Sequence, residues 1–126
     1  MYYSIKQVSE KKNIASHTLR YYDKEGLLPF VERSKSGIRK FSDSDLEWLD
    51  LICCLKSTGM TIKQIKEFVK LTIQGDETLN TRCNMLVEHE KIVKEQIRTM
   101  EMHLEKVTYK IGYFNKKYKE YIETKG

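Results

Sequence analysis

The stretch Ser16-His17-Thr18-Leu19-Arg20-Tyr21-Tyr22-Asp23-Lys24-Glu25-Gly26-Leu27-Leu28-Pro29 decides the fold. It reads as one short helix to about Glu25, with Ser16 placed to cap it, Leu19 and Tyr22 on one face, and Arg20 and Lys24 elsewhere on the surface. Gly26 can adopt the left-handed conformation that ends a helix, and Leu27-Leu28 followed by Pro29 forbids its continuation.

Toward the N-terminus, Ser4-Ile5-Lys6-Gln7 reads as a capping box, because a serine hydroxyl and a glutamine amide at this spacing satisfy the orphan backbone groups of a helix start. The helix it opens runs to about Lys12 and buries Ile5 and Val8, and Asn13-Ile14 breaks the pattern. Two short helices joined by a tight turn form a helix-turn-helix, an arrangement found in many protein cores as well as at DNA surfaces.

Toward the C-terminus, Phe30 to Phe41 changes character. Arg33, Lys35, Arg39 and Lys40 surround the turn signal Ser36-Gly37, which predicts a hairpin, or wing, over about residues 28–41. Ser42 then caps a third helix, with Asp43 and Asp45 in the first turn where the helix dipole favours negative charge. That helix buries Leu46, Leu49, Ile52 and Cys53 until Gly59 stops it. Thr61-Ile62-Lys63-Gln64 is a second capping box, opening a helix that carries Ile65, Phe68, Val69 and Ile73 toward the core, and Gly75-Asp76 breaks the chain again.

Beyond that break, alternating steps of four and three residues from Leu79 reach Cys83, Leu86, Glu90, Val93, Ile97, Met100, Leu104, Val107, Ile111, Phe114 and Tyr118. Only Glu90 in this series is strongly polar, and no Gly or Pro intervenes before Gly112. This is a heptad seam of about 40 residues, or roughly 60 Å of helix. A single helix of that length cannot bury its stripe against a small head, so a partner helix is required. The predicted fold class is therefore mainly α: a winged helix-turn-helix head over residues 1–75, followed by a dimerisation helix and short tail over residues 76–126. The two long helices of a homodimer would meet as an antiparallel coiled coil, with Leu86, Val93, Ile97, Met100, Leu104, Val107 and Ile111 at the interface.

Charge supports the division. Residues 1–41 hold nine Lys/Arg against four Asp/Glu, and residues 42–126 hold fourteen against fourteen, so the whole net charge of +5 lies in the first third. A polyanion bound by the head is the simplest partner for this asymmetry, with plain solubility the other reading of a basic surface. No run reaches the roughly 18 apolar residues of a membrane span, and no signal-peptide core precedes the head. A soluble cytoplasmic protein is expected. Cys53, Cys54 and Cys83 offer no disulfide framework and fit a reducing compartment.

The run Thr18 to Leu28, continued by Ser36-Gly37-Ile38-Arg39-Lys40-Phe41, Asp45-Leu46 and Gly59-Met60-Thr61-Ile62 with Ile65, closely resembles the signature of MerR-family regulators. With the long terminal helix, the resemblance covers nearly all of the chain. It implies a DNA-binding transcriptional regulator whose homodimer sits on double-stranded promoter DNA, distorts an overlong spacer, and lets RNA polymerase engage both promoter boxes. Ser16, His17 and Thr18 would then lie near base edges, Arg20 and Tyr21 would hold phosphates, and Arg39, aided by Arg33 and Lys35, would clamp the backbone from the wing. For Tyr22, core packing is the stronger reading. Family members commonly carry tyrosines where this chain has Ile38 and Phe41, which shifts the burden of the wing contact onto Arg39.

His17, His89 and His103 are too dispersed for a metal cluster, and the long helix places His89 and His103 on its surface. Cys83 could stand near the first ligand of the metal-sensing members, yet no cysteine follows it, so neither a metal nor an iron-sulfur cofactor is expected. Cys54, with Gly75-Asp76-Glu77-Thr78-Leu79, resembles the branch that answers aldehydes and other electrophiles through one cysteine. A packed structural thiol is the competing reading of Cys54. No nucleophile stands with a base at motif spacing, no glycine loop cradles phosphate, and no paired carboxylates share an apolar setting, which argues against an enzyme. Two other readings stay open: a coiled-coil adaptor that binds protein, and a regulator whose effector is a small non-covalent ligand.

Overall fold

A computed structural model describes residues 1–126. The chain is mainly helical, with a small wing sheet and a long C-terminal helix, as the hydrophobic periodicity predicts. In order it forms β1 (Tyr2–Tyr3), α1 (Ile5–Lys12), α2 (Ser16–Lys24), β2 (Glu32–Arg33), β3 (Arg39–Ser42), α3 (Asp43–Ser57), α4 (Ile62–Gln74), a 3-10 turn (Asp76–Thr78) and α5 (Leu79–Lys125).

Local chemistry sets most of these boundaries. Capping boxes open α1 (Ser4 with Gln7), α3 (Ser42 with Asp45) and α4 (Thr61 with Gln64), each pairing a side-chain oxygen with a backbone N–H in both directions. The expected cap of α2 lies one residue earlier: Ala15 is the N-cap, without a side-chain bond, and Ser16 is the first helical residue. Asn13 closes α1 at a left-handed φ of 53°, a conformation that asparagine tolerates better than most residues.

The sheet has the order β1-β3-β2, antiparallel throughout. Glu32 faces Lys40 and Arg33 faces Arg39 across the wing, and the turn closes through Ser34 N–H to the Ile38 carbonyl at 2.7 Å and Gly37 N–H to the Ser34 carbonyl at 2.9 Å. Gly37, at φ 85°, supplies the left-handed residue this turn requires. The strand β1 was not expected from sequence. It pairs Tyr2 with Ser42 and Tyr3 with Phe41, which gives β3 neighbours on both edges.

Two compact units divide the chain, Met1–Leu86 and Val87–Gly126, so the head extends past residue 75 to take in the first two turns of α5. The head's core is built from Val8, Leu19, Tyr22, Leu27, Leu28, Phe41, Leu46, Leu49, Ile52, Leu55, Met60, Ile65 and Val69. Three details differ from the periodicity. Ile73 is exposed, because α4 ends one residue later and the core closes at Val69. Leu55 rather than Cys53 completes the buried stripe of α3, leaving Cys53 half-buried. Leu86, assigned from its heptad position to the dimer seam, packs partly buried against the head's core.

In the second unit, Ile97, Met100, Leu104, Val107, Ile111, Phe114 and Tyr118 are all more than half exposed in the single chain. Val93 is half-buried. His89, expected on the surface, is buried.

Candidate nucleic-acid interface

The N-terminus of α2 is the first element of the site. Because Ala15 contributes no capping side chain, the first N–H groups of the helix are not engaged by one, and the positive end of the helix dipole is available to an anion. On this helix Leu19 and Tyr22 point into the core, which turns His17, Arg20 and Tyr21 outward. Ser16 and Thr18 are half-buried between these faces. Burial pushes the Tyr22 phenol above its ordinary value, with the Cys53 thiol and Tyr21 adding to the effect, as suits a packing residue. Tyr21 is exposed beside it, with the two rings tilted at a centroid distance of 6.1 Å.

The wing is the second element. Lys35 and Ser36 stand exposed near its tip, next to Ile38, which is exposed as well. Phe41 is wholly buried, so its side chain belongs to the core and its missing hydroxyl costs the surface nothing. The wing arginines are not free side chains. Arg39 Nε donates to Asp23 Oδ2 at 2.6 Å, Arg33 donates to the same oxygen at 3.2 Å through one terminal nitrogen, and its other terminal nitrogen donates to the Gly37 carbonyl at 2.9 Å. Asp23 lies in the last turn of α2, so one carboxylate ties the helix to both strands of the wing. Sequence reasoning passed over Asp23 because nothing local pairs a carboxylate with arginines ten and sixteen residues away.

Elsewhere in the head, Lys11 and Lys40 lie over the Tyr3 and Tyr2 rings at 5.2 and 4.5 Å from the centroids. Lys11 is exposed and Lys40 half-buried, and both add to the basic character of the head. The thiols divide by exposure: Cys54 and Cys83 are exposed, whereas Cys53 is half-buried and burial, with Asp50 nearby, raises its thiol above the ordinary value. No group of three or more His, Cys, Asp or Glu side chains is arranged to hold a metal ion. No helix is long and apolar enough to cross a membrane.

A helix-turn-helix whose second helix is tied through its last turn to a basic hairpin, on a core to which four helices contribute, defines a winged helix-turn-helix head. The model of the MerR HTH family of regulatory proteins matches residues 3–71. An HTH-type transcriptional regulator of Haemophilus influenzae is 45% identical over 92% of this chain and 86% of its own length. The regulator AdhR of Bacillus subtilis is 36% identical over 68% of this chain and 61% of its own. Among solved structures, HiNmlR, a MerR family regulator lacking the sensor domain and crystallised bound to promoter DNA, superimposes with a TM-score of 0.86 at 45% identity, covering 92% of both chains. A MerR family regulator from Bacillus thuringiensis superimposes with a TM-score of 0.83 at 39% identity, covering 89% of this chain and 98% of its own. The chain belongs to the MerR family of DNA-binding transcriptional regulators.

Proposed function

We propose that this protein regulates transcription as a homodimer on promoter DNA. One observation carries the reading: the likeness to HiNmlR, crystallised on promoter DNA, runs at 45% identity through 92% of both chains. The N-terminus of α2 enters the major groove, with Ser16, His17 and Thr18 near base edges, while Arg20 and Tyr21 hold phosphates. Arg33, Lys35 and Arg39 clamp the backbone from the wing. The exposed seam of α5, from Ile97 to Tyr118, pairs with its copy in a second chain and sets the separation of the two heads. The dimer distorts the promoter spacer so that RNA polymerase engages both boxes, at a deformation cost of order 1–6 kcal/mol. On this reading the protein works in the cytoplasm.

The test is selection of bound sequences from a random DNA pool by the purified protein. A pseudo-palindromic operator, bound with a steep salt dependence, is the expected result. Recovery of no enriched sequence, with retention of a protein partner instead, supports the coiled-coil adaptor.

A second reading concerns the signal. Cys54 is exposed on α3 whereas its neighbour Cys53 is half-buried, which favours Cys54 as the residue through which an aldehyde or other electrophile acts. Running the same selection with and without a reactive aldehyde tests this. A change in operator affinity or in transcription that disappears in Cys54→Ser supports the sensor; an unchanged response in that variant favours a non-covalent effector.

A further inference from the structure

The wing carries an electrostatic problem within its own register. Arg33 and Arg39 are directly opposed across β2 and β3, and like charges at facing positions of an antiparallel pair repel. The hairpin has turn hydrogen bonds and the facing pair Glu32–Lys40, but at two and four residues it is short, and neither of these neutralises the two arginines. The carboxylate of Asp23 meets both guanidinium groups on a single oxygen, at 2.6 and 3.2 Å. Its side chain is only 19% exposed and that of Arg39 only 21%, so solvent screens this pair less than it screens the ion pairs of the long helix, such as Lys91–Glu88 at 67% and 71%.

We propose that Asp23 is the positioning residue of the DNA-binding face: it cancels the Arg33–Arg39 repulsion and locks the wing to α2, so that the two DNA-contacting elements meet their target as one rigid unit. This rests on the DNA-binding reading above. The geometry leaves the arginines competent. Arg39 engages Asp23 through Nε alone, and Arg33 through one terminal nitrogen, so each guanidinium keeps donors that the carboxylate does not take. Asp23 also places a negative charge beside the phosphates. That charge works against DNA of any sequence, but on the correct one the gain from holding the protein in register outweighs it. Discrimination between operator and random DNA, rather than bare affinity, is the quantity it controls.

The experiment compares the full-length wild type with Asp23→Asn and Asp23→Glu on two DNAs, the operator recovered by selection and a random duplex, over a range of salt. Asp23→Asn removes the charge and keeps the shape. The expected outcome is operator affinity lowered about tenfold, since two long side chains lose their preorganisation. Random-duplex affinity should be equal or higher, and the salt slope steeper by up to about two per dimer, as one anion per subunit is lost. Asp23→Glu, which restores the charge, should recover most of the operator-to-random ratio. Amide hydrogen exchange at Ser34, Gly37 and Ile38, measured without DNA, should quicken in Asp23→Asn and not in Asp23→Glu. An Asp23→Asn protein with an unchanged ratio, or with wing exchange equal to wild type, overturns the proposal. A wild type that binds neither DNA overturns the DNA-binding reading, while the exchange measurement still judges the Asp23 link separately.

Discussion

The indole nitrogen of Trp48 donates a hydrogen bond to the carbonyl of Leu27 at 2.7 Å. This bond joins the middle of α3 to the segment where the chain leaves α2 and turns toward the wing. Trp48 is also stacked on Phe68 of α4 at a centroid distance of 6.0 Å and meets Phe30 edge-to-face at 5.8 Å, so one side chain gathers three parts of the head. Trp48→Phe keeps the aromatic packing and leaves the Leu27 carbonyl without this donor. The expected loss of stability is about 1–3 kcal/mol. Urea denaturation would register it as a lower midpoint at unchanged slope, and a midpoint equal to wild type would show that water replaces the indole.

The exposed seam of α5 provides the second prediction. Each large apolar residue that becomes buried between two chains contributes on the order of 1.5–3 kcal/mol, so placing an unpaired carboxylate in the middle of the seam should separate the chains. Leu104→Asp and Ile97→Asp are each expected to sediment as monomer at micromolar concentration, with the head still folded. Leu86→Asp should behave differently: because Leu86 packs against the head's core, it should lower the stability of the head itself. A wild-type mass of one chain would refute the dimer.

The arginines of the DNA face should separate by the company they keep. Arg20 is exposed on α2, and Arg20→Ala should weaken binding to all sequences and flatten the salt slope by about two per dimer, at roughly one ion for each lost contact. Arg39→Ala should lose the same contacts and also leave Asp23 balanced by Arg33 alone, so its affinity should fall further than that of Arg20→Ala. Arg20→Ala with an altered base preference and an intact slope would instead identify Arg20 as a base reader.

For the cysteines, reaction with a limiting electrophile should follow exposure and thiolate content. Burial raises the Cys53 thiol, so less of it is thiolate at neutral pH than for an ordinary cysteine, and its labelling should become appreciable only as the pH is raised. Peptide mass spectrometry at pH 7 should find Cys54 modified before Cys53. Cys83, also exposed, serves as the control for accessibility alone. If Cys83 and Cys54 react equally, exposure explains the labelling; labelling of Cys53 first would exclude Cys54 as the preferred target.

What the amino-acid sequence determined by itself is what depends on chemistry within a turn or two of chain. Ser4 with Gln7 and Thr61 with Gln64 are capping boxes whose members lie three residues apart, so helix starts could be read directly. The α5 stripe from Ile97 to Tyr118 was legible because a periodic pattern needs no knowledge of its neighbours. The excess positive charge of the first 41 residues was equally plain. Tertiary structure alone decided which groups meet. The strand β1 exists only because β3, some 40 residues on, offers it an edge, and two tyrosines carry no period of their own. Leu86 and Ile97 both belong to the heptad seam, yet the first packs against the head and the second is left exposed. Arg39 reads as a free surface cation until the fold brings Asp23 to 2.6 Å from it. In each case the pattern specifies that a side chain needs a partner, and only the packing of distant segments, where distance and burial set the strength of the contact, specifies which one it finds.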